Sequence, residues 1–335
     1  MPESTTTRRV TAADIARSLG ISRATVGFVL NDTPGQTISA ATRSRVLAEA
    51  ERLGYRPHTA ARALASGRTH IVLLVLPDWP LDFNLRRNIE EASLALDEAG
   101  YALITYTPHQ TGQARPLWET LQPDLVMSMT PWSPGQVDSI RASGITRIIP
   151  DPDHPTAEEW TEEGPVLQVR HLHDLGHRAV AFAGSADPRV ADLVRLRRHA
   201  ADEAAAALGL EPMPTEDLEL TDDSAGPVLA AWRDKGVTAV AAYNDDVAGA
   251  LVGAALRMGI AVPIDLSIIG HDDTPLAAML EPTLSTIHVD TVGLGRFFAD
   301  LALSAVEGRP APTVAPELRA TLVRRRSTAP PNERD

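Results

Sequence analysis

The spacing of apolar positions changes once along the chain, close to residue 70. Before that point, apolar residues recur three or four positions apart in short segments, as in amphipathic helices. After it, short aliphatic runs alternate with longer segments of helical period. Such alternation is typical of parallel β-sheets covered by helices on both faces. The pattern therefore predicts a small all-α domain followed by a larger α/β domain.

Residues 11–31 predict two short helices joined by a tight turn, which is the arrangement of a helix-turn-helix. Thr11 followed by Asp14 is a helix start, and Gly20 ends the first helix because glycine adopts a positive φ without steric cost. Ser22 is predicted to cap the second helix, whose inner face would be Val26, Val29 and Leu30. Four residues then point outward near its beginning, where such helices enter the major groove: Arg23, Ala24, Gly27 and Phe28.

A third helix is predicted from Ser39 to Leu53, with Gly54 ending it. An alanine-rich segment, 57–69, follows a proline and is too short to be a stable helix by itself.

Two series of strands and helices follow, separated near Gly164. The predicted strands are 71–76, 102–106, 125–129, 147–150, 179–184, 239–243 and 266–270, and the predicted helices are 84–99, 164–175, 194–208 and 247–258. Two series imply two lobes with a crevice between them. Ligands of open α/β sheets bind beyond the carboxyl ends of the strands, so the crevice is the expected ligand site.

Charge is distributed unevenly between the two parts. The whole chain carries a net charge of −13, which taken alone argues against a nucleic-acid partner. Residues 1–69, however, hold ten arginines against five acidic residues, and the remainder carries a net charge of −18. A basic head on an acidic body lets the head lie against phosphates while the body is repelled.

Several classes of protein are disfavoured. The chain has no cysteine, so disulfides and zinc–thiolate sites are excluded. From its hydrophobic pattern we expect no export signal, no membrane segment and a cytoplasmic location. It shows no phosphate-binding loop, serine elbow or paired carboxylates that would indicate an enzyme, and no cofactor is expected. His171, His173 and His177 suggest a metal, but Gly176 breaks the helix before His177, and we predict no metal site.

Eight motifs, in order and spacing, resemble the LacI/GalR family of bacterial transcription regulators over almost the whole chain. They are T-x-x-D-I-A-x-x-x-G-I-S-x-x-T-V at 11–26, L-G-Y-x-P at 53–57, A-R-A-L-A-S-G-R-T at 61–69, H-L-x-x-L-G-H at 171–177, N-D at 244–245, V-P-x-D-L-S-I-I-G-x-D-D at 262–273, P-T-L-S-T-I at 282–287 and L-V-x-R-x-S-T-x-P at 322–330. The resemblance implies an α/β protein with an N-terminal all-α helix-turn-helix headpiece, a hinge helix and a periplasmic-binding-protein-like core of two Rossmann-like lobes.

The resemblance also implies domain boundaries. They are 1–58 for the headpiece, 59–69 for the hinge, 70–162 with 289–318 for the N-terminal lobe, 163–288 with 319–328 for the C-terminal lobe and 329–335 for a tail.

By resemblance, one group of headpiece residues contacts DNA phosphates and sugars: Thr11, Ser22, Thr25 and Asn31. A second group reads base edges: Arg23, Ala24 and Phe28. Arg23 suits guanine because its planar fork can bond O6 and N7 together. The alternative is that it contacts only phosphate.

The chain departs from the family at Gly27-Phe28, where Ser-Arg is usual. Phe28 could contact a thymine methyl group, or it could fold back into the headpiece core. Leu64 matches the family's hinge leucine, which wedges into a base step of the minor groove. The alternative is a plain linker with Leu64 docked on the core.

In the core, the family's effector residues correspond to Asp151, Arg195, Asn244 and Asp272, with Trp79 and Phe83 as an apolar floor. Asp272 could instead have a structural role together with Asp273, and Trp79 could simply pack the lobes. Three further basic residues follow Arg195 where the family has Arg-x-x-Gly-Phe, which extends the prediction to an acidic ligand such as a phosphate or carboxylate.

The sequence therefore predicts a homodimeric repressor, not an enzyme, that binds a pseudo-palindromic operator in double-stranded DNA. A small-molecule effector, a sugar or sugar derivative, would bind between the lobes and switch operator affinity. The alternative is a periplasmic-type solute-binding protein or a sugar-processing enzyme on the same core. Residues 11–31 and the absence of an export signal favour the regulator.

Overall fold

A computed structural model describes residues 10–30, 35–55, 68–109, 114–153, 163–221, 224–312 and 320–332. The chain divides into two compact units. Unit 1 comprises residues 1–70 with 122–124, and unit 2 comprises residues 71–121 with 125–335. None of the helices in the described segments combines the length and the hydrophobicity that crossing a lipid bilayer requires.

Unit 1 contains the three predicted helices. They are α1 (Ala12–Leu19), α2 (Arg23–Leu30) and α3 (Ala40–Arg52). Their buried face is formed by Ile15, Ala16, Val26, Val29, Val46 and Ala50. These are the positions at which apolar residues recur every three or four places, so the helical period of the sequence explains why the three helices share one core.

The helix ends of unit 1 follow the predicted local rules. Asp14 accepts hydrogen bonds from the backbone N–H and the hydroxyl of Thr11, at 2.9 and 2.7 Å. Gly20 has a φ of 65°, which a residue with a Cβ rarely adopts, and this allows the sharp turn into α2. The predicted capping by Ser22 and Ser39 is confirmed, since their side chains accept from the backbone N–H of Thr25 and Thr42.

The N-terminal lobe of unit 2 is built on a parallel sheet with the order β2-β1-β3-β4 in its described strands. The strands are β1 (Ile71–Val75), β2 (Ala102–Tyr106), β3 (Leu125–Ser128) and β4 (Ile148–Ile149), and the helices between them are α4 (Phe83–Glu98), α5 (Leu117–Leu121) and α6 (Pro134–Ala142). β1 is almost entirely buried, as expected of a central strand covered on both faces.

The C-terminal lobe repeats this plan with the order β6-β5-β7-β8. Its strands are β5 (Val180–Ser185), β6 (Thr215–Leu218), β7 (Ala239–Ala242) and β8 (Ser267–Ile269). Its helices are α7 (Glu163–Asp174), α8 (Ala191–Ala207), preceded by a 3-10 turn at Pro188–Val190, α9 (Ala225–Asp234), α10 (Asp245–Arg257) and α11 (Pro275–Met279). Its core includes Phe182, Leu251, Ile268 and Ile269.

The chain then returns to the first lobe. After β9 (Thr286–His288), α12 (Thr291–Glu307) packs along α4, and β10 (Thr321–Val323) pairs antiparallel with β9. The segment predicted as a tail, 329–335, begins within the C-terminal lobe. The hydroxyl of Ser267 donates to the carbonyl of Ala329 and accepts from its backbone N–H. The two parallel sheets confirm the predicted α/β fold of two lobes.

Candidate functional site

The outward face of α2 in unit 1 presents the predicted base-reading residues. Arg23 and Ala24 are exposed, while Phe28 is half-buried. Phe28 is not among the described side chains that pack on the headpiece core, which include Leu19, Ile21, Leu30 and Tyr55. Part of the Phe28 ring is therefore accessible on α2.

The predicted phosphate-binding residues lie at helix ends. The hydroxyls of Ser22 and Thr25 are 2.8 Å apart at the start of α2, and Thr11 precedes α1. Hydroxyls beside exposed N–H groups at helix starts are suitable donors to phosphate oxygens. Asn31 and Leu64 lie outside the described residues.

A cavity of about 490 Å³ lies between the two lobes of unit 2. One wall comes from the N-terminal lobe, where β1 ends and α4 begins, and another comes from the ends of β5, β6, β7 and β8. This is the crevice predicted from the carboxyl ends of the strands. The volume is within the range of small-molecule sites.

A buried ion pair, Arg197 with Asp272, lies on the cavity wall. One guanidinium nitrogen of Arg197 is 2.9 Å from the Asp272 carboxylate, another donates to the carbonyl of Tyr243 at 2.5 Å, and the guanidinium lies 4.8 Å from the centre of the Tyr243 ring. Both side chains are 12 % exposed. Burial disfavours the charged form of both side chains. The attraction between their opposite charges favours it, and the net result is that the pKa of Asp272 is lowered and that of Arg197 is raised.

The backbone around Asp272 is held in an unusual conformation. Its φ is 96°, in the region that favours glycine. Its N–H donates to the carbonyl of Ile287 at 2.8 Å, and its carbonyl accepts from the side-chain amide of Asn84 at 2.7 Å. Because Asn84 belongs to the N-terminal lobe, this last bond joins the two lobes at the cavity. Strain of this kind persists where the surrounding contacts fix the residue.

Three of the six predicted effector residues line the cavity: Trp79, Asn244 and Asp272. Trp79 packs against the apolar cores of both lobes and also lines the cavity, so packing between the lobes and contact with a ligand are compatible roles for it. Asn244 also caps α10 by accepting from the N–H of Val247 at 2.9 Å. Asp273, the alternative structural residue, is instead 2.6 Å from the guanidinium of Arg325.

The other three predicted residues do not line the cavity. Phe83 lies under the guanidinium of Arg86. Asp151 is exposed and accepts a hydrogen bond from the N–H of Asp153. Arg195 pairs with Asp192 on an exposed face of α8. Arg197 occupies the position expected of Arg195. Residues two apart on a helix lie on different faces, so the structure brings Arg197, and not Arg195, to the cavity.

The predicted excess of positive charge is also absent from the cavity. Arg195 and Arg197 have acidic partners, and Arg198 pairs with Asp217. Each of these three arginines has an acidic partner among the described residues, so the structure lends no support to an acidic ligand attracted by this segment.

A second buried carboxylate, Asp245, supports the cavity from behind. It accepts from the hydroxyl of Thr286 at 2.6 Å and from the N–H and hydroxyl of Thr274 at 2.6 and 3.0 Å. Burial raises the pKa of Asp245 to about 7, although these hydrogen bonds act in the opposite direction. The carboxyl joins α10 to the segments that follow β8, which fixes the loop carrying Asp272.

The histidine cluster has structural partners. His171 is 3.0 Å from the hydroxyl of Thr328, and His177 lies between the hydroxyl of Thr238 and the carbonyl of Ala329. α7 ends at Asp174, before His177. Within the segments that the structure describes, no group of three such side chains is placed to hold a metal ion.

Sequence reasoning missed several residues of the cavity: Asp82, Asn84, Asn88, Asp187, Arg189, Arg197, Glu219, Tyr243, Asp246 and His271. A signal existed for some of them. Tyr243 is the last residue of a predicted strand, His271 directly follows another, and Asp82 stands six positions after a third. Ligand contacts concentrate at such strand ends. Asn88 is in the middle of α4, and only the packing of the lobes places it at the cavity.

Two family models match separate parts of the chain. Residues 11–58 match the bacterial regulatory proteins of the lacI family, and residues 169–328 match the periplasmic binding protein-like domain. The chain is 30% identical over 347 aligned residues to the HTH-type transcriptional regulator GalR of Salmonella typhimurium, covering 96% of this chain and 97% of GalR.

Solved structures show the same architecture. The lac repressor dimer bound to operator and the anti-inducer ONPF matches with a TM-score of 0.78 at 22% identity, covering 96% of this chain and all of that one. A complex of the transcriptional regulator CelR with cellobiose matches with a TM-score of 0.61 at 23% identity, covering 95% of this chain and all of the other. At these identities the likeness concerns the fold.

Proposed function

The chain belongs to the LacI family of bacterial regulatory proteins, and on that premise we propose that it is a repressor whose operator affinity is switched by a small polar effector held between the lobes of unit 2. Membership of the family makes it a DNA-binding transcription regulator and not an enzyme. The observation that supports a switch is the cavity of about 490 Å³, which has polar groups from both lobes in its walls. A regulator of this kind acts in the cytoplasm, where the DNA is.

We assign the reading of base edges to the outer face of α2. Arg23 is exposed at the start of this helix, where its guanidinium can bond guanine O6 and N7. The half-buried ring of Phe28 is suited to contact with a thymine methyl group. Thr11, Ser22, Thr25 and, outside the described residues, Asn31 are assigned to the DNA backbone.

The effector is proposed to act through the contacts that join the lobes. The side-chain amide of Asn84, at the start of α4, donates to the carbonyl of Asp272 in the C-terminal lobe. A ligand that contacts Trp79 from one lobe and Asn244, Arg197 or Asp272 from the other changes the free-energy difference between lobe arrangements. The sugar in the CelR structure supports a polyhydroxylated ligand in a fold of this kind.

The active species is proposed to be a homodimer. The lac repressor of similar fold was crystallised as a dimer on its operator. A two-fold dimer places one headpiece on each half of a pseudo-palindromic site. Leu64, which lies outside the described residues, would then be in the hinge.

Selection of bound duplexes from a randomised pool tests this proposal. We expect the full chain to enrich a two-fold symmetric sequence with half-sites about one helical turn apart, and the Arg23→Ala variant to lose the guanine preference at one position of each half-site. Enrichment of no sequence would argue for the solute-binding alternative on the same core, whereas enrichment of an asymmetric site would contradict the two-fold dimer.

A further inference from the structure

The walls of the interlobe cavity carry more acid than base. Five lining residues have carboxylates and two have guanidiniums: Asp82, Asp187, Glu219, Asp246, Asp272, Arg189 and Arg197. Both guanidiniums are already paired, Arg189 with Asp187 at 2.5 Å and Arg197 with Asp272 at 2.9 Å. Three carboxylates, on Asp82, Asp246 and Glu219, have no cationic partner among the described residues.

The neighbouring histidine does not compensate for this charge. His271 is buried beside the cavity, with its Nδ1 2.7 Å from the Asp272 carboxylate. Burial and the positive charge of Arg197 lower the pKa of His271, so the ring is neutral at pH 7. The residues that line the cavity therefore carry more negative than positive charge.

The unpaired carboxylates come from both lobes. Asp82 is at the start of α4 in the N-terminal lobe, where it accepts from the N–H of Leu85 at 2.7 Å. Burial raises the pKa of Asp82 and the charge of Asp272 adds to this effect, while the N–H of Leu85 and the charge of Arg197 oppose it without reversing it. Asp246 is in the first turn of α10 in the C-terminal lobe. A cation placed between them would be attracted by both lobes at once.

One polar side chain of the cavity wall also lacks a partner. Asn88 is 92 % buried, and its Oδ1 is a buried acceptor without a hydrogen-bond partner among the described residues. An acceptor left without a donor costs free energy, so a donor that reached Oδ1 would stabilise the complex. Apolar side chains of Trp79, Met129 and Leu193 complete the lining and suit the flat face of a ring.

We propose that this cavity selects a polyhydroxylated ligand carrying a protonated amino group, an amino sugar or a compound of that chemistry, and rejects phosphate esters and carboxylates. This inference rests on the proposed function, and it names the chemical class of the effector that the cavity binds. An anion would have to approach Asp82, Asp246 and Glu219, or separate Arg197 from Asp272, and either route is opposed by charge. An ammonium group meets its counter-charges without disturbing that pair.

Binding of matched ligand sets to the full chain tests the proposal. Each set contains a neutral sugar, its amino sugar and its phosphate ester, with glucose, galactose and mannose as parents, and binding is followed by thermal shift and by tryptophan fluorescence at pH 7.5. We expect at least one amino sugar to bind at least tenfold more tightly than its parent and its ester. Affinity should weaken several-fold when NaCl is raised from about 50 to about 500 mM.

Charge-removing variants locate the effect. Asp82→Asn keeps a residue that can cap α4, and Asp246→Asn changes one oxygen, so both should fold and lose about tenfold in amino-sugar affinity. Asp192→Asn, which removes the same charge from an exposed position outside the cavity, is the matched control and should bind as the parent chain does. Equal losses in all three variants would contradict a local effect.

The proposal is overturned if phosphate esters or neutral parents bind as tightly as the amines, or if no amino sugar binds. Operator binding by the same preparation separates this failure from failure of the proposed function. A chain that binds DNA but prefers anions refutes only the charge selectivity. A chain that binds no DNA refutes the regulator, whatever ligand it takes.

Discussion

Arg23 is exposed at the first position of α2, and the chemistry of its side chain distinguishes two ways of contacting DNA. A bidentate bond to guanine needs the planar fork of a guanidinium, whereas a phosphate contact needs only a positive charge. We predict that Arg23→Lys loses about 1–3 kcal/mol of discrimination between guanine and adenine at the contacted position. Binding to unrelated duplexes should be unchanged. Fluorescence anisotropy with matched and mismatched operators measures both quantities.

Arg23→Ala serves as the companion variant, because it also removes the charge. It should weaken binding to every duplex as well as abolish the discrimination. If Arg23→Lys discriminated between the bases as the parent chain does, Arg23 would be a phosphate contact only.

His171 links stability to pH. Burial, and then the charge of Arg324, lower the pKa of His171 to about 4, while an imidazole in the unfolded chain titrates near 6.5. The neutral ring therefore contributes stability above pH 6.5, and this contribution is lost as the pH falls through 6.5 towards 4. The full loss is about 3 kcal/mol. Urea unfolding of the parent chain and His171→Gln should show a difference in stability that shrinks between pH 7.5 and 4.5.

The exposed His199 provides the control, because its side chain is 70 % exposed on α8. His199→Gln should follow the parent chain across the same pH range. A difference between the parent chain and His171→Gln that stays constant with pH would show that His171 acts by packing alone.

Residue assignments from the sequence succeeded where a local rule applied. Ser22, Ser39 and Gly20 were predicted from capping and turn chemistry that involves only their neighbours. Arg195 was assigned by family resemblance, but the face of α8 that meets the cavity is set by packing against α7 and β5, and it presents Arg197. Asn88 was missed because an isolated asparagine within a helix carries no comparable local signal.

The elements predicted best are those whose apolar residues form a clear pattern along the sequence. Buried strands such as β1 and β7 are continuous aliphatic runs, and they were found within a residue or two. β6 was missed because its sequence, Thr215–Leu218, is mostly polar and exposed at the edge of its sheet. The short β9 and β10 were missed because each owes its structure to the other, and pairing of segments more than 30 residues apart leaves no local pattern.

The crossing of α4 and α12 depends on a glycine. A Cβ on Gly295 would lie 2.5 Å from the carbonyl oxygen of Asn88 and 2.9 Å from the Cβ of Glu91. We predict that Gly295→Ala destabilises the core by about 1–3 kcal/mol, because the two helices must separate, although alanine is the better helix former. Thermal and urea unfolding measure this loss.

Gly135 is the matched control, since it also lies in a helix, α6, and a Cβ there would meet nothing within 4 Å. Gly135→Ala should leave stability unchanged or raise it by up to about 1 kcal/mol. Equal effects of the two substitutions would show that the close helix crossing does not determine the outcome.

At the scale of the whole molecule, the part proposed to bind DNA and the part proposed to bind the effector have opposite net charges. The first 69 residues are basic and the remainder is strongly acidic, so phosphates favour one part and are repelled by the other. The same acidity extends into the interlobe cavity through Asp82, Asp246 and Glu219. The sequence indicated the charge of each part, but the paired state of Arg195, Arg197 and Arg198 could be established only from the packed structure.

The salt dependence of duplex binding by the full chain tests the central claim, DNA binding through a basic headpiece, most directly. With six to ten phosphate contacts, log K should fall linearly with log[NaCl], and affinity should drop by roughly 10³–10⁵ between about 50 and 200 mM. Anisotropy titrations with a selected operator give the slope. A duplex affinity that is negligible at about 50 mM NaCl, or that does not change with salt, would contradict the account.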